Sequence, residues 1–268
     1  MVVASPGAHP LMLAAAAIAG ADEFLAVGGA HAIAALAHGF EGFEPVSVIA
    51  GPGNAWVTAA KHAVSDRVGI DMLAGPSELL VIADASADAG QIAADLLAQA
   101  EHDPMASAML GTTSAELVEA VERELEGQLA ALSTADVARA ALGNGFACLV
   151  ETIDQLIELA DLVAAEHLEI MASDAGSLAD RIRHAGGVFV GAGSAEVLGD
   201  FGAGPNHTLP TGGTATHSAG LSVFHFLRPR THLTITDPAK ADGLIRDSIR
   251  MAELEGLPGH AEAARRRL

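Results

Sequence analysis

Residues 77–104 read SELLVIADASADAGQIAADLLAQAEHDP, and this stretch decides the architecture. Residues 79–83 form a short, wholly apolar run of strand length, and residues 91–101 carry a helical pattern. The same alternation recurs along the chain. Candidate buried strands fall at 24–27, 46–50, 79–83, 147–150 and 188–190, and helical segments at 30–37, 55–65, 91–101, 115–132, 153–166 and 178–185. Apolar strands alternating with helices argue for a parallel α/β architecture, because a parallel sheet is covered on both faces by its crossover helices. Residues 2–4 are also strand-like. Residues 199–220 form a long Gly-, Pro-, Asn-, Thr- and His-rich connection of the kind that carries function rather than packing. Beyond it, 233–235 are strand-like and a final helix starts near Asp237-Pro238.

At 268 residues the chain has ample length for buried cores, in one large or two moderate domains. Half of it is hydrophobic but only 3 % is aromatic, so the core must pack small aliphatic side chains closely. A formal net charge of -20 repels phosphate backbones and anionic surfaces, which argues against nucleic-acid and membrane partners. The single cysteine, Cys148, lies in an apolar run and is expected to be a buried, inert thiol. It supplies neither a disulfide framework nor a thiolate zinc site. Residues 10–20, PLMLAAAAIAG, lack the basic start of a secretion signal and are too short for a membrane span of about 20 residues. They are expected to form a buried helix in a cytoplasmic protein.

Several residues could carry chemistry. Gln99 and His102, three apart near the end of a helix, share a face and could be two metal ligands or an exposed polar pair. Glu166-His167 joins a tunable carboxyl to an imidazole at an element boundary, as a proton-transfer pair or a surface pair. Asp200 and His207, in the glycine-rich connection, could contribute to a zinc site, which accepts His nitrogen and carboxylate oxygen and leaves positions open for substrate. For His207, anchoring the loop is the favoured reading. His260 follows a helix-breaking Gly-Leu-Pro-Gly and could be functional or simply solvated. Ser77 precedes a strand without a nucleophile elbow, and reads as a turn hydroxyl that could also bind substrate. Gly51-Pro52-Gly53-Asn54 sits between a strand and a helix, where amides can receive a phosphate, although no complete Gly-x-Gly-x-x-Gly is present.

Taken in order, seven segments resemble histidinol dehydrogenase: VGGAHAIAALAHG from Val27, GPGNAWVTAAK from Gly51, IDMLAGPSELLVIAD from Ile70, AQAEHDP from Ala98, AAEHLEI from Ala164, GDFGAGPNHTLPTGGTATHSAGLSV from Gly199 and EGLPGH from Glu255. They span nearly the whole chain. The resemblance implies Rossmann-like parallel-sheet domains with an extended and helical C-terminal tail. It divides the chain into a cofactor-side domain at 1–78, a second α/β domain bearing the zinc and acid–base residues at 79–222, and a tail at 223–268.

The same resemblance implies that Gln99, His102, Asp200 and His260 hold one zinc ion, and that Glu166 and His167 are the catalytic acid–base pair. Ser77, Gln99, His102, His167, Asp200, Glu255 and His260 would bind the substrate, and His31 and Asn54 would face NAD. The reaction implied is oxidation of L-histidinol to L-histidine through the aldehyde, with two NAD reduced in turn, in a cytoplasmic homodimer whose tails reach the partner's site. Alternatives are a related dehydrogenase of another small polar alcohol, or a noncatalytic zinc-binding fragment. His31 stands where the family carries Gln. The family also has a long region before the point at which this sequence starts. The chain is therefore expected to lack part of the first domain, leaving it incomplete, and to have little dehydrogenase activity by itself.

Overall fold

The computed structural model describes residues 1–268, the side chain of Ala239 excepted. It divides into two compact units, Met1–Phe226 and Leu227–Leu268.

The first unit opens with β1 (Val2–Ala4), α1 (Pro10–Ile18), β2 (Glu23–Leu25), α2 (Gly29–His38), β3 (Val48–Ile49), α3 (Ala55–Val64) and β4 (Gly69–Ile70). Two parallel strand pairs, β1 with β2 and β3 with β4, border a core of Ile33, Leu36, Ala37, Phe43, Ile49, Val64 and Val68. Beneath the Gly51 turn a buried ion pair closes a ring. Lys61 Nζ donates to Asp71 Oδ1 and to the Gly51 carbonyl, each at 2.5 Å, while the Gly51 amide donates to Asp71 Oδ2 at 2.8 Å.

The main sheet follows: β5 (Glu78–Ala83), α4 (Ala89–Ala100), β6 (Ser107–Thr112), α5 (Ala115–Ala131), α6 (Ala135–Leu142), β7 (Phe146–Leu149), α7 (Ile153–Val163), β8 (His167–Met171), α8 (Ala175–Ala179), β9 (Gly187–Val190) and α9 (Glu196–Phe201). Its five strands are all parallel in the order β7-β6-β5-β8-β9, so the chain winds outward from β5 in one direction and then reverses. β5 is apolar on both faces because both are covered. Leu79, Val81 and Ala83 meet a core that includes Ile92, Leu96, Leu97 and Val121, whereas Leu80 and Ile82 meet Leu156, Leu168, Ile170 and Leu178.

The parallel α/β class and all five strands expected from the sequence are present, with boundaries shifted by no more than two residues. β6 and β8 escape a reading by apolar runs, since β6 contains Ser107 and Gly111, and His167 and Glu169 interrupt β8. Pairing with β5 on either side makes them strands. α7 stops before the expected residue 166 because Ala164 takes a left-handed conformation (φ 47°) that turns the chain into β8. The helix expected at 178–185 lies instead at Ala175–Ala179. The amides of Arg183 and His184 donate to the Asp161 carboxylate, at 2.7 and 3.0 Å, rather than continuing it.

Three further expectations are corrected. α1 is helical but buries no residue, and only Ala16 is partly covered. Cys148 is only half-buried, on the edge strand β7. Residues 233–235 are not a strand. In the second unit a short 3-10 turn leads into α10 (Asp242–Leu254), and Glu255-Gly256-Leu257 separates it from α11 (Pro258–Arg265). Within this unit Ile245, Ala252 and Ala261 are buried.

Candidate active site

The residues of interest gather at the amino-terminal ends of the central strands. Leu79 of β5 is in register with His167 of β8, so Ser77 and Glu78 lie beside Glu166 and His167. α4 runs back to this edge, since the turn after it leads into β6, where Ser107 pairs with Glu78. Its last turn and the residues just beyond carry Gln99 and His102. A helix carboxyl end has a partial negative charge, which favours cations there.

His167 is buried, and its ring fixes the tautomer. Nδ1 lies 3.2 Å from the Glu78 carbonyl, which can only accept, so Nδ1 carries the proton and Nε2 keeps its lone pair. That Nε2 is buried with no protein partner. Burial holds the imidazole below its ordinary pKa; the Asp200 carboxylate and the Glu78 carbonyl oppose this, and His102 and His207 add to it. Asp200, His102 and His207 are thus all close enough to act on His167.

Glu166 is buried beside it, with Oε2 3.7 Å from His167 Nδ1. Burial pushes its carboxyl up to about 8, against hydrogen bonds from the Glu78 amide (3.1 Å) and the Ser77 hydroxyl; the Glu196 and Glu78 carboxylates raise it further. At neutral pH Glu166 is therefore mostly the neutral acid. Glu196 Oε1 lies 3.6 Å from His167 Nδ1, and burial, then Asp200 and Asp95, raise Glu196 to about 7.

The connection expected to be a functional loop begins as α9 and then passes over the amino ends of β5 and β8. Gly212 donates to both oxygens of Glu78 at 3.1 Å, Gly75 donates to Thr211 Oγ1 at 2.5 Å, and Thr211 and Pro210 are buried. α9 lies close on β9, because a Cβ on Gly199 would come within 2.7 Å of the Phe189 ring, which in turn sits 6.0 Å from the His167 ring.

Asp200, His102, Glu166, His167, Ser77 and His207 therefore share one neighbourhood. Gln99, read from the sequence either as a ligand or as part of an exposed face, is 2 % exposed, and its Oε1 is buried without a partner. Donor atoms of His167, Glu196 and Asp200 lie within 4.8 Å of one another, a spacing a cation could bridge. His31 is exposed in the first turn of α2, and Asn54 is exposed at the cap that precedes α3. Asn54 Oδ1 caps α3 by accepting from Trp56 and Val57, so only its amide nitrogen is free for a ligand. Glu255 and His260 are exposed residues of the second unit.

Four acids were missed by sequence reasoning. Glu78 was hidden as the neighbour of Ser77. Asp95 precedes Gln99 by four residues on α4, and Glu169 shares a strand face with His167; both spacings were readable. Glu196 gave no signal, since only the chain's return through α9 brings it to His167.

The histidinol dehydrogenase family model matches residues 1–268. The histidinol dehydrogenase of Streptomyces avermitilis is 47 % identical over 97 % of this chain and 59 % of its own length, and that of Nitrobacter winogradskyi is 49 % identical over all of this chain and 63 % of its own. The chain thus spans about 60 % of the length of these relatives. A crystal structure of histidinol dehydrogenase from Elizabethkingia anophelis superposes with a TM-score of 0.89 at 37 % identity, covering 96 % of this chain and 60 % of that one. An acetylating aldehyde dehydrogenase from Geobacillus thermoglucosidasius, at 15 % identity and a TM-score of 0.53, shares the fold alone. With the family match running from end to end and the site residues drawn together at one sheet edge, the chain belongs to the histidinol dehydrogenase family.

Proposed function

We propose that this site serves the zinc-dependent, NAD-linked oxidation of L-histidinol to L-histidine through the aldehyde. The observation that carries this reading is the buried His167, neutral, with Nδ1–H engaged and Nε2 bare, beside a Glu166 that titrates near neutrality. That is an acid–base pair ready to move protons at working pH.

The donor set fits a divalent cation, because Gln99 Oε1 is a buried oxygen without a partner at the negative end of α4, and Asp200 and His102 lie within reach of the same imidazole. Gln99, His102 and Asp200 would hold zinc, with His260 of the partner subunit completing the set in a homodimer. When bound, zinc would supply a Lewis acid toward the amino alcohol and NAD would supply the hydride acceptor. His167 Nε2 takes the alcohol proton as the carbon–hydrogen pair leaves, and the resulting imidazolium is met by the carboxylates around it. The ionised fraction of Glu166, whose pKa of about 8 lies near working pH, takes a proton from the water that hydrates the aldehyde and returns it to solvent. Ser77 holds Glu166 and lines the substrate's approach. Asn54 and His31 face the cofactor from residues 1–78, residues 79–222 carry the chemistry, and the tail at 223–268, with Glu255, serves the partner's substrate. Among the described residues no helix is long and apolar enough to cross a membrane, and we place the protein in the cytoplasm.

The test supplies L-histidinol, and separately the aldehyde, with NAD and zinc, and follows NADH. H167A should slow both oxidations, whereas E166Q should chiefly slow the second. Equal and measurable turnover by both variants and the parent on both substrates would defeat the assignment. A second reading rests on the cluster of His167, Glu196 and Asp200, which would make His167 a ligand rather than a base. E196Q separates the two: zinc uptake persists on the first reading and falls on the second.

A further inference from the structure

Glu78 is given no part in the proposed reaction, yet all three of its polar groups are engaged at the site. Its amide donates to Glu166 Oε2 at 3.1 Å, its carbonyl accepts from His167 Nδ1 at 3.2 Å, and both carboxyl oxygens lie 3.1 Å from the Gly212 amide. Main chain and side chain therefore do different things. The amide and carbonyl hold the acid–base pair at the edge of the sheet, whereas the side chain reaches a residue 134 positions away, in the connection after α9. Residues 203–213 of that connection contain no helix or strand, so their placement depends on contacts of this kind.

The connection lies across the site as a strap. Gly212 and Gly213 both hold left-handed backbone (φ 61° and 75°), which turns the chain after Thr211 and aims the Gly212 amide at Glu78. Before the turn, Leu209 and Pro210 rest on two glycines where β9 begins. A Cβ on Gly187 would come within 3.1 Å of Leu209 Cδ1, and one on Gly186 within 3.1 Å of Pro210 Cδ and 2.5 Å of the Glu166 carbonyl oxygen. The strap thus lies against the backbone of Glu166 itself. A second fastening stands beside the first, where the buried Thr211 accepts from the Gly75 amide through Oγ1 at 2.5 Å. Excluding water from an acid–base pair strengthens the electrostatic interactions within it, and His167 Nε2 is indeed buried.

We propose that Glu78 is a positioning residue of the acid–base pair: its main chain orients Glu166 and His167, and its carboxyl, together with Thr211, clasps residues 208–213 over them and limits water there. The assignment rests on the acid–base reading of the preceding subsection.

The test uses the full chain with E78M, which keeps the length of the side chain without an acceptor, and E78Q, which keeps one acceptor oxygen. T211V, near-isosteric, removes the second fastening, and T211S restores its hydroxyl. Exchange of the Gly212 and Gly75 amides is followed by NMR or mass spectrometry. Reaction of His167 with diethyl pyrocarbonate is followed by peptide mapping, with the exposed His62 as internal reference. The reagent attacks a free imidazole lone pair, so it reports whether Nε2 is covered. The expected result is exchange about 10-fold faster for the Gly212 amide in E78M and for the Gly75 amide in T211V. His167 should react faster relative to His62 in both, and E78Q and T211S should stay close to the parent. A Gly212 amide as protected in folded E78M as in the parent, or a His167 that reacts no faster in E78M and T211V, would overturn the clasp. So would an E78Q that behaves as E78M does, since the acceptor oxygen would then not be what holds the strap. T211V is read by itself, on the same criteria, where E78M does not fold. None of these readouts needs turnover: an H167A variant with unchanged, measurable turnover would remove the acid–base assignment, and the Gly212 amide would still decide whether Glu78 holds the strap.

Discussion

Replacing Lys61 with Met should destabilise the first unit far more than an ordinary Lys substitution. The Lys61 side chain is 4 % exposed and that of Asp71 is not exposed at all. The ammonium satisfies both Asp71 Oδ1 and the Gly51 carbonyl. Removing it leaves a buried carboxylate with one remaining bond, from the Gly51 amide, and orphans the carbonyl. Breaking one partner out of a buried pair costs about 3–5 kcal/mol, and the orphaned carbonyl argues for the upper end. The local core around Ile33, Leu36 and Val64 is small, so little else compensates. Gly51 holds φ 130°, a conformation that L side chains rarely adopt, and the ring through Lys61 and Asp71 is what fixes it. Urea unfolding followed by circular dichroism would give the loss. The double variant K61M/D71L should recover a large part of it, because the uncompensated charge is gone. A loss below about 1 kcal/mol for K61M, or no recovery in the double variant, would refute the buried pair as the anchor of the Gly51 turn.

Other outcomes follow from the same geometry. Glu166 rises from 4.5 to about 8 on folding, so between those values the folded chain holds a proton that the unfolded chain releases. Its contribution is intact below 4.5 and is lost as pH climbs toward 8, by about 1.4 kcal/mol per pH unit; E166Q should flatten that part of the stability–pH curve, and parallel curves would contradict it. Gln99→Leu should abolish zinc uptake yet stabilise the metal-free chain by about 1 kcal/mol, since it removes a buried carbonyl without a partner; lower thermal stability would count against the orphaned oxygen. Gly186→Ala would put a Cβ 2.5 Å from the Glu166 carbonyl, and should cost about 1–3 kcal/mol in chemical denaturation and shift Glu166 away from His167. Unchanged stability would show that the backbone there can yield.

The parallel sheet was legible because β5 is apolar on both faces and needs no partner to be read as a strand. β8 was not, because its inward face carries His167 and Glu169 where the pattern requires hydrophobic residues. The violation coincides with the candidate site, as is expected where function overrides packing. The family motifs placed Gln99, His102, Asp200, Glu166 and His167 in one enzyme, and the fold brings them to one edge. What periodicity could not give is the burial that sets their chemistry. In the sequence Gln99 is equally a solvated residue, and only the packing of α4 on the sheet makes its oxygen an orphan. Glu196 depends on a return of the chain through a glycine-rich segment whose path no local pattern records.

The edge chosen is itself informative. In doubly wound sheets ligands usually sit outside the carboxyl ends of the strands, where the strand order reverses. Here that crevice lies between β5 and β8, and Asp84 bridges the ends of the two strands beside it. Its carboxylate accepts from the amides and hydroxyls of both Ser86 and Ser173, which against the effect of burial lower it to about 2. The opposite edge presents the carboxyl end of α4, four acids and an imidazole with a free lone pair. Helix amino ends and open amides attract anions, whereas this arrangement attracts a cation and stores protons. A sheet that would ordinarily receive a phosphate at one edge thus offers a cation and acid–base site at the other, and E196Q and Gln99→Leu address that site without disturbing Asp84.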